Sequence, residues 1–479
     1  MNNLSSMEEK INEPALIHGI IKPTQQSGQG VVSIRAQTSI ITETPQPNHY
    51  SGLEHFKQAE WDKHSFATPD EMEWWIDAKF GMFIHWGPCS LVGTEIGWSR
   101  GGTRGPEKPG DEVPVEIYDN LYKQFNPIRF NADEWVEIAK EAGQKYVVFI
   151  AKHHDGFCLW DTKTTEYNIM HSPIGRDVLK ELAVACEKAG LAFGIYFSQR
   201  DWYHPDYFGE HHGRFVTYMH EQVKELLTNY GKVSILWLDA WYPSMFIPEH
   251  WESMELYDMA RKLQPGIVIN NRSSVPGDYD TPEMVIGAYQ THRPWESANT
   301  IHLDSWSWNP TCGVKSLKEC LDIVVGCAIG GGNLLLNVGP TSEGNIELEH
   351  AERFKEIGNW LSMYGHSIYG TRGGPVPSSE WGGCTWKENK IYIHVLYWKG
   401  NMEGREWHID NLFIPEIENK VICYSVITGG KASVRQTAEG IEISISDQYR
   451  DPLDTIIELT FEHAIEGIIP DPRNGTTIV

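Results

Sequence analysis

The sequence predicts an α/β protein: a (β/α)8-like barrel followed by a C-terminal antiparallel β-sandwich. Three observations carry that expectation. Strand-like and helix-like segments alternate from about residue 74 to 372, the pattern of a parallel sheet with helices packed outside it. No glycine-rich dinucleotide turn follows any strand, and Gly330–Gly332 precedes one instead, so a closed barrel is expected over a doubly wound sheet. After about residue 373 the alternation gives way to short β-type runs separated by Gly, Asn and Asp.

Met1 to Gln46 is rich in Ser, Gln, Thr and Pro, so residues 1–60 are expected to be a disordered lead-in. This stretch shows no charged region followed by an apolar one. No signal peptide is therefore visible, and the location expected from sequence is cytoplasmic. The barrel is expected over 61–372. Its strands are Phe80–Ile84, Tyr146–Ile150, Ala192–Phe197, Val233–Leu238, Gly266–Ile269 and Leu334–Val338, which mix aliphatic and aromatic residues without strict alternation, as in strands buried on both faces.

Between them, Asn131 caps a helix with Glu134 three residues on and Gly143 at its end; Trp135, Ile138, Ala139 and Ala142 form its apolar stripe. Asp177 opens a second helix, closed by Gly190. A third runs from about Phe215 to Tyr230, and a late one from about Glu349 to Tyr364. The apolar run Ile323 to Val338 is interrupted by Gly330–Gly332 and Asn333, so it is not read as a membrane span. The sandwich, expected over 373–479, begins its strands at Lys390–Trp398 and ends them at Thr455–Phe461.

The formal charge of −25 argues against nucleic acid or an anionic membrane as partner. Eight cysteines contain no CxxC pair and read as isolated thiols. Nineteen tryptophans are well above the ordinary number; tryptophan suits the flat apolar faces of sugars but also fills cores, so the count alone decides nothing.

In a barrel, chemistry gathers just past the C-terminal ends of the strands. Those positions hold His85 and Trp86; Lys152, His153, His154 and Asp155; Tyr196, Ser198 and Asp201; Trp237 and Asp239; Asn270, Asn271 and Arg272; and Asn337. Aromatic rings, histidines, an arginine and a carboxylate on one rim suit a neutral polyol. Asp239 follows an apolar run, where an unpaired charge is costly, so it must meet solvent, a cation such as Arg272, or substrate.

A metal is the rival reading for His153 and His154. Neighbouring residues on a strand face opposite ways, so the pair is not expected to share one ion unless the strand is bulged, and no HxH or HExxH spacing offers another; no metal or cofactor is expected. Glycosidic hydrolysis needs two carboxyl groups. Asp239 supplies one, and Glu283 and Glu296, on the loop region after the fifth strand, are both candidates for the other.

The segments AKFGMFIHWG, YVVFIAKHHDGF, GRDVLKELAVACEKAGLAFGIYFSQRDW, ILWLDA, NNRSSVPGDYDTPE, RPWES and GNLLLNVGPTSEG occur in this order between Trp74 and Thr371. With them the chain resembles the α-L-fucosidases of glycoside hydrolase family 29. The resemblance implies a catalytic barrel with a C-terminal sandwich, and exo-acting, retaining hydrolysis of terminal α-L-fucose from an oligosaccharide or glycoconjugate. By position, it implies that Asp239 is the nucleophile and Glu283 the acid/base, with Glu296 as the alternative. His85, His153, His154, Tyr196, Trp237 and Arg272 match residues that hold the sugar, and Glu95 and Trp98 fall near the family's Glu-Trp pair, here separated by Ile96 and Gly97. Ala240 stands where glycine is common, and Phe197 where a second tyrosine is common. Members of the family are often periplasmic, secreted or lysosomal. The same chemistry on an α-L-galactoside and a non-catalytic sugar-binding relative are the competing readings.

Overall fold

Seven parallel strands form the first sheet, in the spatial order β5–β4–β3–β2–β1–β7–β6. They are β1 Phe80–Ile84, β2 Tyr146–Lys152, β3 Ala192–Ser198, β4 Ile235–Asp239, β5 Val268–Ile269, β6 Glu296–Thr300 and β7 Asn333–Val338. The computed structural model describes residues 64–101, 113–240, 250–286, 289–402, 405–415 and 417–473; the lead-in expected over 1–60 lies outside them.

The eighth stave is irregular. Parallel bridges join Tyr279 to Asn270 just past β5, Asp280 to Trp295 just before β6, and Glu283 to Ala298 within β6. Backbone hydrogen bonds from Glu296 N to Asp280 O (2.8 Å) and from Ala298 N to Pro282 O (3.0 Å) continue that pairing. Residues 279–283 therefore close the ring between β5 and β6, and they deliver Glu283 to the same rim as Asp239.

Strand alternation sorts the side chains into two layers. Phe83, Tyr146, Val148, Tyr196, Ile235, Trp237, Val268 and Leu335 fill the barrel interior. Met82, Val147, Phe149, Ile195, Leu236 and Leu336 face outward into the layer shared with the helices. Gly81 makes room inside: a Cβ there would lie 2.2 Å from the Tyr146 ring.

Helix α1 (Pro69–Ala78) closes the end opposite the rim. Thr68 and Glu71 form its capping box, Pro69 sets its first turn, and Lys79 ends it in the left-handed region. Its Met72, Trp75 and Ile76 join the interior cluster, and Asn333 Nδ2 donates to Trp75 O at 2.6 Å.

The outer helices are α2 Val115–Tyr118, α3 Ala132–Glu141, α4 Val178–Ala189, α5 His212–Asn229, α6 Ser253–Leu263, α7 Leu317–Gly330 and α8 Leu348–Tyr364. The foreseen caps are present: Asn131 accepts from the Asp133 and Glu134 amides, Asp177 from Lys180, and Gly190 ends α4 at φ 73°. Helices α3 and α8 approach backbone to backbone, because a Cβ on Gly358 would lie 1.7 Å from Glu141 O. Gly358→Ala must push them apart. The expected cost is about 1–3 kcal/mol, read as a Tm several degrees lower by calorimetry, and an unchanged Tm would contradict this packing.

Residues from 372 onward form antiparallel sheets. Five strands, β8 Arg372–Gly373, β9 Gly382–Lys387, β10 Lys390–Val395, β14 Val421–Val426 and β17 Thr455–Phe461, lie in the order β14–β17–β10–β9–β8. Three more, β13 Asn411–Pro415, β15 Ala432–Gln436 and β16 Gly440–Ile445, lie in the order β13–β16–β15, beside a hairpin of β11 Lys399–Met402 and β12 Arg405–His408. Ile391, Ile393, Ile457 and Leu459 of the larger sheet pack on Leu412, Ile414, Ile441 and Ile443 of the smaller. The sandwich meets the barrel at α7, where Tyr397 Oη donates to Asp322 Oδ2 at 2.5 Å.

Candidate active site

Asp239 is the last residue of β4, and three groups converge on its carboxylate. Tyr196 Oη donates to Oδ2 at 2.8 Å, Arg272 Nη1 stands 3.5 Å from Oδ1, and His154 Nε2 lies 3.7 Å from Oδ2. Arg272 is itself fixed. Its Nε donates to Thr281 Oγ1 (2.8 Å), its Nη2 to Thr281 O (3.1 Å), and its guanidinium lies 4.8 Å over the Trp237 ring. Nη2 also meets Glu283 Oε2 at 2.7 Å. One buried cation thus holds two carboxylates on the same cavity wall, a planar fork to which arginine is suited.

That cavity has a volume of about 140 Å3 and is lined by His85, Trp98, His153, His154, Tyr196, Trp237, Asp239, Arg272 and Glu283, with Phe83, Arg200, Ala298 and Trp306. Its volume is well below the ~300 Å3 at which pockets for drug-sized ligands begin, so it suits one small ring.

The histidine network fixes which ring nitrogens face the cavity. Ser198 Oγ donates to Arg200 O (2.9 Å), so it accepts from His154 Nδ1 (2.6 Å), leaving Nε2 as an acceptor beside Asp239. Asn337 Nδ2 donates to Trp306 O (2.6 Å), so its oxygen accepts from His85 Nδ1 (2.6 Å) and Nε2 of His85 is likewise an acceptor. Burial pushes His85 down to about 3, and burial with neighbouring cations pushes His154 well below 6.5. Both rings are neutral and ready to accept hydroxyl hydrogens.

The expectation that His153 and His154 face opposite ways is corrected. Both line the cavity, with ring centroids 4.1 Å apart, because they follow the end of β2 in a turn after an irregularity at Ile150/Lys152. Strand alternation does not extend to them. Among the described residues, no group of three or more His, Cys, Asp or Glu is arranged to hold a metal ion.

Two expected residues stand elsewhere. Glu95 does not line the cavity; its carboxylate accepts from Ser305 Oγ (2.9 Å), Trp306 N (3.0 Å), and Ser307 N and Oγ (3.3 Å each). It clamps the loop that carries the Trp306 wall. Loss of an acceptor shared by several donors costs about 1.5–3 kcal/mol per charged hydrogen bond, so Glu95→Ala is expected to lower kcat/KM at least tenfold as that wall loosens. Steady-state kinetics with wild-type values would contradict the clamp. Glu296 opens β6 and points into the fully buried barrel interior, where the Tyr146 hydroxyl donates to it. It has no access to the cavity.

Trp98 stands on the wall, edge-on to His154 and Trp202 at 5.3 Å each. Asp155 lies behind it, accepting from Tyr118 Oη (2.8 Å), which accepts from Gly97 N (2.8 Å) and so ties down the Trp98 loop. Sequence reading missed Phe83, Arg200, Ala298 and Trp306. Trp306 and Ala298 belong to β6 and its exit, a strand whose residues Glu296-Ser-Ala-Asn-Thr300 carry no apolar periodicity. Arg200 lies two residues past β3, inside a segment that was read only for its neighbours.

Two carboxylates, a bridging arginine and neutral imidazoles around a one-ring cavity are the equipment of a glycosidase. The sequence profile of the α-L-fucosidases matches residues 51–366, more than half of the chain. The chain belongs to the α-L-fucosidase family. The fucosidase is 29% identical over 357 residues to human plasma α-L-fucosidase, covering 68% of this chain and 76% of that one. It is similar in structure to α-L-fucosidase isoenzyme 1 of Paenibacillus thiaminolyticus, with 32% identity, a TM-score of 0.71, and coverage of 82% and 99% of the two chains. It is also similar to a family 29 α-L-fucosidase of Bacteroides thetaiotaomicron, trapped as a covalent intermediate with 2-fluoro-fucosyl fluoride in a glutamate-to-glutamine variant, with 27% identity, a TM-score of 0.71, and coverage of 82% and 96%. The fucosidase is therefore a glycoside hydrolase whose substrate class is fucosylated glycans. No helix among its described residues is long and apolar enough to cross a membrane.

Proposed function

We propose that this fucosidase is exo-acting and retaining, with Asp239 as nucleophile and Glu283 as acid/base. The observation that carries the reading is Arg272, whose Nη1 meets Asp239 and whose Nη2 meets Glu283. Two carboxyl groups tethered to one guanidinium are close partners, and a retaining pair lies about 5–5.5 Å apart. Asp239 attacks the anomeric carbon while Glu283 protonates the departing oxygen, forming a fucosyl ester. Water, deprotonated by Glu283, then attacks that ester, and two inversions give net retention.

Tyr196 and Arg272 keep Asp239 aligned without occupying all its oxygen lone pairs. The bare Nε2 atoms of His85 and His154 accept sugar hydroxyls. The small cavity supports removal of a terminal residue. Its Phe83 and Trp306 rings, 6.2 Å apart, give an apolar wall suited to a methyl group, which favours fucose over an α-L-galactoside. The trapped intermediate of the Bacteroides relative supports the covalent step.

Following an aryl α-L-fucoside by NMR tests the stereochemistry: α-L-fucose is expected as the first-formed product, and the β anomer would overturn the mechanism.

A further inference from the structure

Lys152 ends β2 and Asp201 follows the end of β3, and neither lines the cavity. Their side chains are 0% and 1% exposed, yet they form an ion pair: Lys152 Nζ donates to Asp201 Oδ2 at 3.1 Å and to Gln222 Oε1 of α5 at 3.0 Å. The ammonium also lies 4.5 Å over the Phe197 ring. Two charges are costly to bury, and a buried pair adds little net stability over apolar residues of the same volume. What it does enforce is a fixed geometry between the exits of two strands.

The carboxylate has a second task. Its Oδ1 accepts from Tyr203 N (3.1 Å) and His204 N (2.9 Å), which folds the chain after β3 into a turn. The turn after β2 packs directly against the same oxygen, since a Cβ on Gly156 would lie 2.3 Å from it. Trp202, inside the turn that Asp201 folds, donates its backbone N–H to His154 O at 2.8 Å, and its ring lies 5.1 Å from the His154 imidazole. Ser198, at the end of β3, holds His154 Nδ1 at 2.6 Å. The backbone, ring face and Nδ1 of His154 are thus all held from the β3 exit, and its Nε2 is left 3.7 Å from Asp239 Oδ2.

We propose that the Lys152–Asp201 ion pair is a positioning device of the active site, which clamps the exits of β2 and β3 together and so fixes where His154 Nε2 meets the sugar. The inference rests on His154 as a hydroxyl acceptor of the proposed fucose site; the clamp between the two exits does not.

The pair can be removed without removing the turn. D201N keeps Oδ1 for the two backbone amides and nearly the same volume, but it turns an N–H toward the Lys152 ammonium. K152M keeps the stem against Phe197 and leaves a buried carboxylate without its cation. K152M/D201N carries neither charge, so it is expected to melt higher than K152M. Steady-state kinetics on an aryl α-L-fucoside, with melting to give the folded fraction, separate positioning from stability. A smaller folded fraction lowers apparent kcat at unchanged KM. A displaced His154 instead raises KM, so folded K152M/D201N is expected to show KM about threefold higher or more and kcat/KM about tenfold lower or more. In a His154→Ala background the same change is expected to cost less than about threefold, the non-additivity that marks action through His154. D201N serves the same cycle if the double variant melts below the assay temperature. Wild-type KM and kcat/KM in the folded variant would overturn the inference. A full additive loss beside an impaired His154→Ala would defeat the clamp alone, whereas wild-type kinetics in His154→Ala would defeat the sugar-site reading and the inference with it.

Discussion

Asp239→Asn is expected to lower kcat on an aryl α-L-fucoside by roughly 10,000-fold or more while leaving the fold and KM-range binding intact, because on the proposed mechanism it removes the nucleophile and with it the covalent route. The side chain keeps its size and its hydrogen bond from Tyr196, but an amide does not attack the anomeric carbon. The cost in stability is small by comparison. Circular dichroism and melting should match wild type apart from the loss of an ion pair with Arg272 at 3.5 Å. Shortening the side chain to Asp239→Gly opens space for azide, which then displaces the aglycone directly and gives an inverted fucosyl azide. Turnover of Asp239→Asn at more than a few per cent of wild type would remove Asp239 from the mechanism.

Glu283→Ala is expected to show a different signature. Because Glu283 is the proposed acid/base, its loss costs about 100- to 10,000-fold, and the cost grows with the basicity of the leaving group. A dinitrophenyl fucoside needs little protonation, so its first step proceeds and the fucosyl ester accumulates as a burst. Azide needs no general base and intercepts that ester, giving a fucosyl azide of retained configuration. Glu296→Ala should give no azide product, since Glu296 is sealed in the barrel interior beside Tyr146 while Glu283 lines the cavity. Rescue of Glu296→Ala with no rescue of Glu283→Ala would exchange the two glutamates.

Most of the barrel was legible because its strands advertise themselves. Phe80–Ile84 matches β1 residue for residue, and Tyr146, Ala192 and Val338 mark true strand limits. Their Val, Ile, Phe and Tyr content reflects burial on both faces, which composition reports directly. Helix boundaries at Asn131, Asp177 and Gly190 were legible because capping is local chemistry, written in one or two residues.

Strand β6 was not legible. It is fully buried, yet it consists of Glu296, Ser297, Ala298, Asn299 and Thr300. Its polar side chains turn to partners outside the strand, such as Ser297 Oγ donating to Val285 O and Tyr146 donating to Glu296, so no periodicity betrays it. Missing β6 hid Trp306 at its exit and made Glu296 look like a loop residue. The stave of residues 279–283 was hidden for a related reason: it pairs by isolated bridges around Pro282 rather than by a continuous ladder.

Within the site, strand-end position identified Asp239, His85, His153, His154, Tyr196, Trp237 and Arg272, all of which line one cavity. What position cannot show is which way a carboxylate turns. Glu95 turns to the backbone of the Trp306 loop and Glu296 to the barrel interior, and both choices depend on donors from residues more than a hundred positions away.

The covalent role of Asp239 is tested most directly by mass spectrometry of the fucosidase treated with 2-fluoro-fucosyl fluoride. The electron-withdrawing fluorine slows breakdown of the ester, so the protein should gain the mass of one fluorofucosyl group. Peptide mapping should place that group on the segment Ile235–Asp239, at the Asp239 carboxylate. A label on any other residue, or turnover of the reagent to a product of inverted configuration with no label, would contradict double displacement through Asp239.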